Sequence, residues 1–422
     1  MQTEFEHPDD LQVGDVEKLP IDSNSKAIFW SIFLFEVLIA VTYGFFVRIE
    51  AQDSSLFFSI FQDVNVTVLI GFGFVMSYLK NHSWSAIGLS FFICVLAVQI
   101  YPLLFHFWHC VFTGHFGTDI MMNFTMVCRG LYSAGVSIIC FEVLIGNLRV
   151  PQLLLLIIAM QVIYTMNEVL IFDVIRAEDI GGSITIHLFG SCFGLFSSVT
   201  FLLGLHNPSE HPHKGSTFQS TIFGFIGSLF LWKFWPAFNA VLSENDEERN
   251  RVILNTHLSL AASALATFGL SPVINGNKFS VDEVLNATLA GGAIVGSSCN
   301  LIENPALSIF LGSLGGILAT LGFRYMSSFL HHQKIYDTIG VINHHFIPGL
   351  IGGLASAISC AIWYDKSVRP ASTQALIQLA ATLISLFVAG LSGFVTGGLM
   401  RMIPSSNKFD DKVRWVVDNR WQ

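Results

Sequence analysis

Charge is scarce along this chain. Only 12% of its 422 residues are Asp, Glu, Lys or Arg, against 52% apolar, and the mean hydropathy is +0.61. So little polar surface cannot cover a water-soluble globule of this size, which makes the chain a membrane protein with the lipid bilayer as its solvent. A basic excess is missing too. Lys and Arg number 21 against 30 Asp and Glu, a net charge of −9, so there is no basic stripe to neutralise phosphates, which argues against nucleic acid as a partner. Cysteine is sparse and unpatterned: Cys94, Cys110, Cys128, Cys140, Cys192, Cys299 and Cys360 never stand in a CxxC spacing. They read as small hydrophobes rather than as redox or metal groups. A cleavable signal is lacking as well, because the first 26 residues are acidic and polar where a signal would be basic and then apolar.

Long apolar runs are what the chain does have. Twelve segments approach the roughly 20 residues that cross a bilayer as helix, near 27–47, 60–79, 84–106, 122–146, 150–171, 182–204, 219–243, 252–273, 280–298, 304–323, 339–362 and 372–400. With the N-terminus in the cytoplasm, thirteen Lys and Arg fall on the inner side and six on the outer, which favours both termini inside. The chain therefore divides into a cytoplasmic N-terminal segment (1–26), a transmembrane domain (27–400) and a short cytoplasmic C-terminal tail (401–422). The fold class is an all-α polytopic membrane protein of about twelve transmembrane helices.

One interval recurs. "DIGGSITIHLFG" runs from Asp179 to His187 in eight residues, and "DTIGVINHHFIPGLIGG" runs from Asp337 to His345 in the same number. Glycines follow each histidine: Gly190 and Gly194 in one case, Gly349, Gly352 and Gly353 in the other. The copies open the sixth and eleventh spans, and an odd offset of five sends the second into the membrane from the opposite face. That is the mark of an inverted repeat, here about 60–204 and 219–362 around a central pore, with its site near the midplane. Eight helical residues rise about 12 Å, so two such histidines entering from opposite sides meet in a hydrocarbon core about 30 Å thick. A single membrane histidine is commonly a packing residue; a matched pair points to a pathway. Away from water the charged ring is penalised, so two neutral rings can share one proton and offer a donor or an acceptor to a small guest. A zinc site needs further ligands, and neither motif supplies a cysteine or carboxylate at suitable spacing, so no metal is assigned.

The stretches "NEVLIFDVIRAEDIGGSITIHLFGSCFGL", "FIGSLFLWKFWPAFNAVL", "NATLAGGAIVG" and "TIGVINHHFIPGLIGGL" resemble the Rhesus glycoproteins of the ammonium transporter superfamily. So do "YGFFVRIE" and "FQDVNVTVLIGFGFVMSYLK", and the likeness runs in order from about residue 27 to 400. It implies a homotrimer of protomers, each with its own narrow apolar pore and two inverted five-helix repeats. It implies a membrane channel, not an enzyme, with no cofactor, that conducts ammonia recruited as ammonium. The resemblance favours passive, bidirectional conduction, with carbon dioxide left open as a second gas and the plasma membrane as the usual address.

Position by position, His187 and His345 match the pore-lining histidine pair, whereas His344 replaces an apolar neighbour and is not assigned to the lumen. Phe238 matches one of two stacked gate aromatics, and Tyr132 stands where the other phenylalanine is expected, adding a hydroxyl. Asp179 matches a buried aspartate near the outer entrance that orders the helix start and helps the site favour ammonium. Glu168 matches an acid of the outer vestibule, so both belong to substrate recruitment. Thr221 stands where relatives carry an acid at the inner mouth.

Other features read more plainly. His206, His211 and His213 sit in a solvated loop, and His257 reads as packing. Arg129 and Lys233 fall within spans, where charge is expensive; Lys233 is expected to snorkel. Asn65, Asn81, Asn123 and Asn286 lie in or beside spans or on the inner side, so their acceptor motifs do not mark glycosylation. Three alternatives stay open: an electrogenic ammonium transporter, a non-conducting structural relative, and an unrelated transporter that relays protons along His187 and His345.

Overall fold

In hydrocarbon a backbone must satisfy its own N–H and C=O groups, so apolar runs of spanning length fold as helices. The computed structural model describes residues 23–51, 54–117, 119–203, 216–364 and 369–403, with Asp411 and Trp415. The loop of His206, His211 and His213, and nearly all of both terminal segments, lie outside the described residues. Two compact units are present, 1–45 and 46–422. Helix α1 (Ser23–Phe46) supplies the described part of the first.

The second unit contains α2 (Phe57–Met76), α3 (Ser83–Thr113), α4 (Phe124–Leu144), α5 (Val150–Ile175), α6 (Ser183–Phe201), α7 (Phe218–Asn239) and α8 (Asp246–Ile274). The segment expected over 280–298 is broken, as α9 (Val281–Asn286), a 3-10 turn (Ala287–Leu289) and α10 (Ala290–Val295). Then come α11 (Pro305–His332), α12 (Ile342–Trp363) and α13 (Ala371–Arg401). Eleven described helices are thus long and apolar enough to span, and the broken segment occupies the twelfth place. The ninth span is interrupted at Ala287–Leu289, and just beyond the break Gly291 and Gly292 let α10 approach Ser259 and the Trp235 ring. A short parallel ladder, β1 (Val47–Ile49) on β2 (Ile120–Met122), ties together two loops that carried no strand signal.

Lipid offers no hydrophobic drive for helix association, so contact depends on close approach of small residues. A Cβ on Gly312 would lie 2.1 Å from the Ser259 carbonyl and one on Gly316 2.4 Å from that of Ser263, which presses α11 against α8. Gly393 and Gly397 do the same for α13 against Phe193 and Ser197 of α6. Gly190 and Gly194 seat α6 on Val136 and Cys140 of α4.

Both histidine helices begin alike. Asp179 accepts from the N–H groups of Ile184 (3.2 Å) and Thr185 (2.7 Å), from the Thr185 hydroxyl (2.7 Å) and from the Ser297 hydroxyl. Asp337 accepts from the N–H groups of Gly340, Val341 and Ile342 at 2.9–3.0 Å. Gly182 (φ 72°) and Gly340 (φ 91°) take the left-handed turn between each aspartate and its helix. Each helix then opens with a π turn, Ser183–Leu188 or Ile342–Phe346, that contains the histidine. The spans just before these motifs also carry matching π turns, Leu170–Ile175 and Gly322–Met326.

Candidate functional site

Helix α4 serves as a ruler for the site. At its N-terminal end Arg129 lines a cavity of about 560 Å³ that also takes in Asp179; at its other end Val143 accepts from Thr338, which lines a second cavity of about 510 Å³ beside Asp337. The site residues lie between these two cavities, called here the Asp179 mouth and the Asp337 mouth.

Tyr132 stands one turn beyond Arg129. Its ring packs on Phe238 with centroids 4.5 Å apart, both are buried, and its hydroxyl donates to the Phe238 carbonyl. Trp235, one turn earlier on α7, lies 5.4 Å from the His187 ring and nearly parallel to it. His187 and His345 then meet edge to edge, their planes 2° apart and their Nδ1 atoms separated by 3.0 Å, so one nitrogen carries the hydrogen and the other accepts it. Both rings are buried. His187 Nε2 and the Trp235 indole N–H are buried with no hydrogen-bond partner among the described residues, which leaves them open to a guest.

The expected pairings of the two motifs are therefore brought together, and Asp179 sits behind them with its oxygens occupied by the protein's own donors. Burial raises its carboxyl to about 6, against the pull of the hydrogen bonds from Ser297, Thr185 and Ile184. Burial likewise raises Asp337 above the ordinary carboxylate range. Glu168 lies deeper than a vestibule acid would. It is 1% exposed, accepts from the Tyr101 hydroxyl at 2.7 Å and pairs with Arg129 at 3.5 Å. That pairing answers the cost of Arg129 within a span, and the guanidinium also lies over the Phe105 and Phe172 rings. Lys233 is exposed on α7, away from the paired rings, and His257 packs against Trp232.

Sequence reasoning missed two groups. Asp173, Glu178, Glu244 and Glu248 line the Asp179 mouth, alongside Arg129 and Arg176; clustered acids at the ends of the fifth and eighth spans were the available signal. Glu142, buried on α4, was also overlooked. Its Oε2 is 3.5 Å from His344 Nε2 and 3.9 Å from His345 Nε2 and makes no hydrogen bond. His344 itself is turned to the Gly340 carbonyl through Nδ1 (3.1 Å) and stacks on Phe323.

The Ammonium Transporter Family profile matches residues 27–410. Ammonium transporter Rh type B of Xenopus tropicalis is 35% identical over 382 residues, covering 85% of this chain and 81% of its own length. The mouse Rh type B protein is 34% identical over 85% of this chain and 82% of its own. Among solved structures, the Rh50 channel of Nitrosomonas europaea superposes with a TM-score of 0.74 at 28% identity, over 86% of this chain and 93% of that one. Saccharomyces cerevisiae Mep2 shares the fold at 16% identity and a TM-score of 0.67, over 85% and 89%.

Proposed function

Because the chain belongs to the Ammonium Transporter Family, in its Rhesus branch, we propose that it conducts neutral ammonia across the membrane along the axis from the Asp179 mouth to the Asp337 mouth, passively and in both directions. The observation that carries the reading is a buried pair of imidazoles, 3.0 Å apart, with one ring nitrogen unclaimed by the protein, between two polar cavities.

The physical problem is set by protonation. Ammonia at neutral pH is nearly all ammonium, as an alkyl amine such as lysine is cationic, and a cation sheds water into an apolar tube only at high cost. Asp173, Glu178, Glu244 and Glu248 raise the local concentration of the cation at the first mouth. The Tyr132 and Phe238 faces hold it partly desolvated, and its N–H bond breaks with the proton passing to water of the Asp179 mouth, which leaves the electron pair on neutral ammonia. Neutral ammonia then passes the paired rings, which exchange one hydrogen bond at a time with it through His187 Nε2. Potassium has no proton to give up and is rejected. Larger amines do not pass the gate formed by the Tyr132 and Phe238 rings. In this reading Asp179 positions the start of α6 and lends negative potential to the entrance, and the Arg129–Glu168 pair braces the gate helix.

The Asp179 mouth faces outward, both termini lie in the cytoplasm, the plasma membrane is the expected site, and three protomers assemble with separate pores. The test uses purified protein in liposomes, an inward ammonium gradient and an internal pH dye. Fast alkalinisation without membrane current is expected, and a His187→Ala/His345→Ala variant that folds should lose it. Alkalinisation at the wild-type rate in that variant removes the histidines from the path.

A further inference from the structure

Hydrogen-bond bookkeeping around Glu142 does not close. A carbonyl can only accept, so the His344 Nδ1 that faces the Gly340 carbonyl carries the ring hydrogen, and His344 Nε2 presents a lone pair. That lone pair faces Glu142 Oε2 at 3.5 Å, and His345 Nε2 faces the same oxygen at 3.9 Å. Where His345 Nδ1 is the nitrogen that carries the hydrogen shared with His187 Nδ1, His345 Nε2 presents a lone pair as well, and three acceptor atoms converge in a buried space. Such an arrangement calls for a positive centre among them.

We propose that Glu142 Oε2, His344 Nε2 and His345 Nε2 form a binding site for a divalent transition-metal ion of the zinc class, which shares His345 with the paired rings. The ligand set is two imidazoles and one carboxylate, a combination suited to zinc. The three ligand atoms lie within 4.8 Å of one another, while a tetrahedral ion with bonds of about 2.0–2.1 Å sets its ligands about 3.3 Å apart, so the 3.5 Å edge closes by about 0.2 Å, the 3.9 Å edge by about 0.6 Å, and the two imidazoles draw together as the ion binds. An ammonium ion hydrogen-bonded at about 2.9 Å would hold them about 4.7 Å apart, wider than both short edges. The surrounding partners are those that metal-bound histidines use. His344 Nδ1–H donates to a backbone carbonyl, and His345 Nδ1 faces His187 Nδ1, so each ring can be held with Nε2 toward the ion. Water or an anion fills the fourth position. Entry is from the Asp337 mouth, where Asp282, Glu283 and Asp337 outnumber Arg324 and where Phe323 and Gly340, the two residues that touch His344, form part of the wall.

An ion at this point ligates one of the paired histidines and obstructs the tube. The test titrates zinc, and then cobalt, into purified chelator-treated full-length protein. One metal per chain is expected, with the intense visible absorption of tetrahedral cobalt, and added zinc should slow ammonia flux in liposomes. Glu142→Gln and His344→Leu should each weaken zinc binding at least about tenfold and raise the zinc needed for block, with flux in metal-free buffer retained. Two variants guard against one failing to fold. Wild-type protein that binds no more metal than both variants, or flux that zinc leaves untouched, overturns the site. So does an altered membrane current for Glu142→Gln in metal-free buffer, which would make the carboxylate a proton carrier. Metal binding is read without flux, so failure of the channel reading leaves this test intact.

Discussion

Replacing Gly349 by alanine should separate the paired histidines by a calculable amount. Gly349 lies on α12 four residues after His345, and a Cβ there would stand 2.7 Å from the Leu188 backbone nitrogen and 2.8 Å from the Ser183 carbonyl oxygen, both on the first turns of α6. Neither contact is with a flexible side chain that could swing away. Restoring an ordinary separation of about 3.4 Å requires the two helices to part by about 0.7 Å. The Nδ1 atoms of His187 and His345, now at 3.0 Å, would then stand at about 3.7 Å, past the limit of a hydrogen bond. Overpacking of this kind costs about 1–3 kcal/mol, so the melting temperature in detergent should fall while the trace on size exclusion is retained. Flux in the liposome assay should drop about tenfold, the equivalent of about 1.4 kcal/mol in the barrier. Gly269→Ala is the matched control, since nothing lies within 4 Å of its added Cβ; a helical glycine replaced there should gain about 0.5–1 kcal/mol and leave flux unchanged. Wild-type flux in folded Gly349→Ala would refute the claim that ring contact at this distance matters to conduction.

Three further outcomes follow from charges and hydroxyls near the Asp179 mouth. Arg129→Met strands the buried Glu168 carboxylate and should cost about 3–5 kcal/mol, read as a loss of thermal stability that Glu168→Gln in the same chain largely restores. Asp179 binds its proton more tightly in the folded chain, with its carboxyl at about 6, than in the unfolded chain near 3.8. The folded state therefore holds more protons over that window, and stability should decline as pH rises from about 4 to 6, by about 3 kcal/mol for this group. Asp179→Asn should flatten that slope in a pH series of melting curves, leaving the part that Asp337 contributes in the same direction. Tyr132→Phe removes the donor to the Phe238 carbonyl, at a cost of about 1 kcal/mol, and frees the gate ring to swing; flux should rise, and a fall would show that the hydroxyl acts on the permeant rather than on the ring.

The frame of the pore was readable because it repeats. An aspartate, a left-handed glycine and a histidine at one fixed interval, five spans apart, carry their own internal check, and the rings do meet. What stayed hidden depends on contacts with no local signature. Glu142 sits in a run that reads as uninterrupted apolar helix, and its partners are some two hundred residues away, so a search confined to the two histidine motifs finds no carboxylate. Arg129 and Glu168 each look costly in isolation; only the packing of α4 on α5 shows that they answer each other. The π turns are equally invisible, since an extra residue in one turn leaves the apolar pattern almost unchanged. The broken ninth span was masked because the turn at Ala287–Leu289 contains no proline or glycine to mark it.

Symmetry and chemistry are divided differently in this molecule. The two halves share what positions a ring: the capping aspartate, the glycine turn, the π turn and the histidine. They differ in what surrounds it. On the Asp179 side the buried carboxylate, Glu168, is neutralised by a guanidinium and a phenol, and the path continues through the aromatic rings of Tyr132, Phe238 and Trp235. Toward the Asp337 side the buried carboxylate, Glu142, faces only the imidazoles of His344 and His345 among the described residues. Because an unpaired charge in low dielectric is costly until a cation reaches it, the half-site near Glu142 is built to hold a positive centre, whereas the half-site near Glu168 already contains one. A frame whose aspartate, glycine turn, π turn and histidine recur in both halves is in this way polar from one end to the other, and the direction of that polarity is set by two residues, Arg129 and His344, that lie outside the repeated pattern.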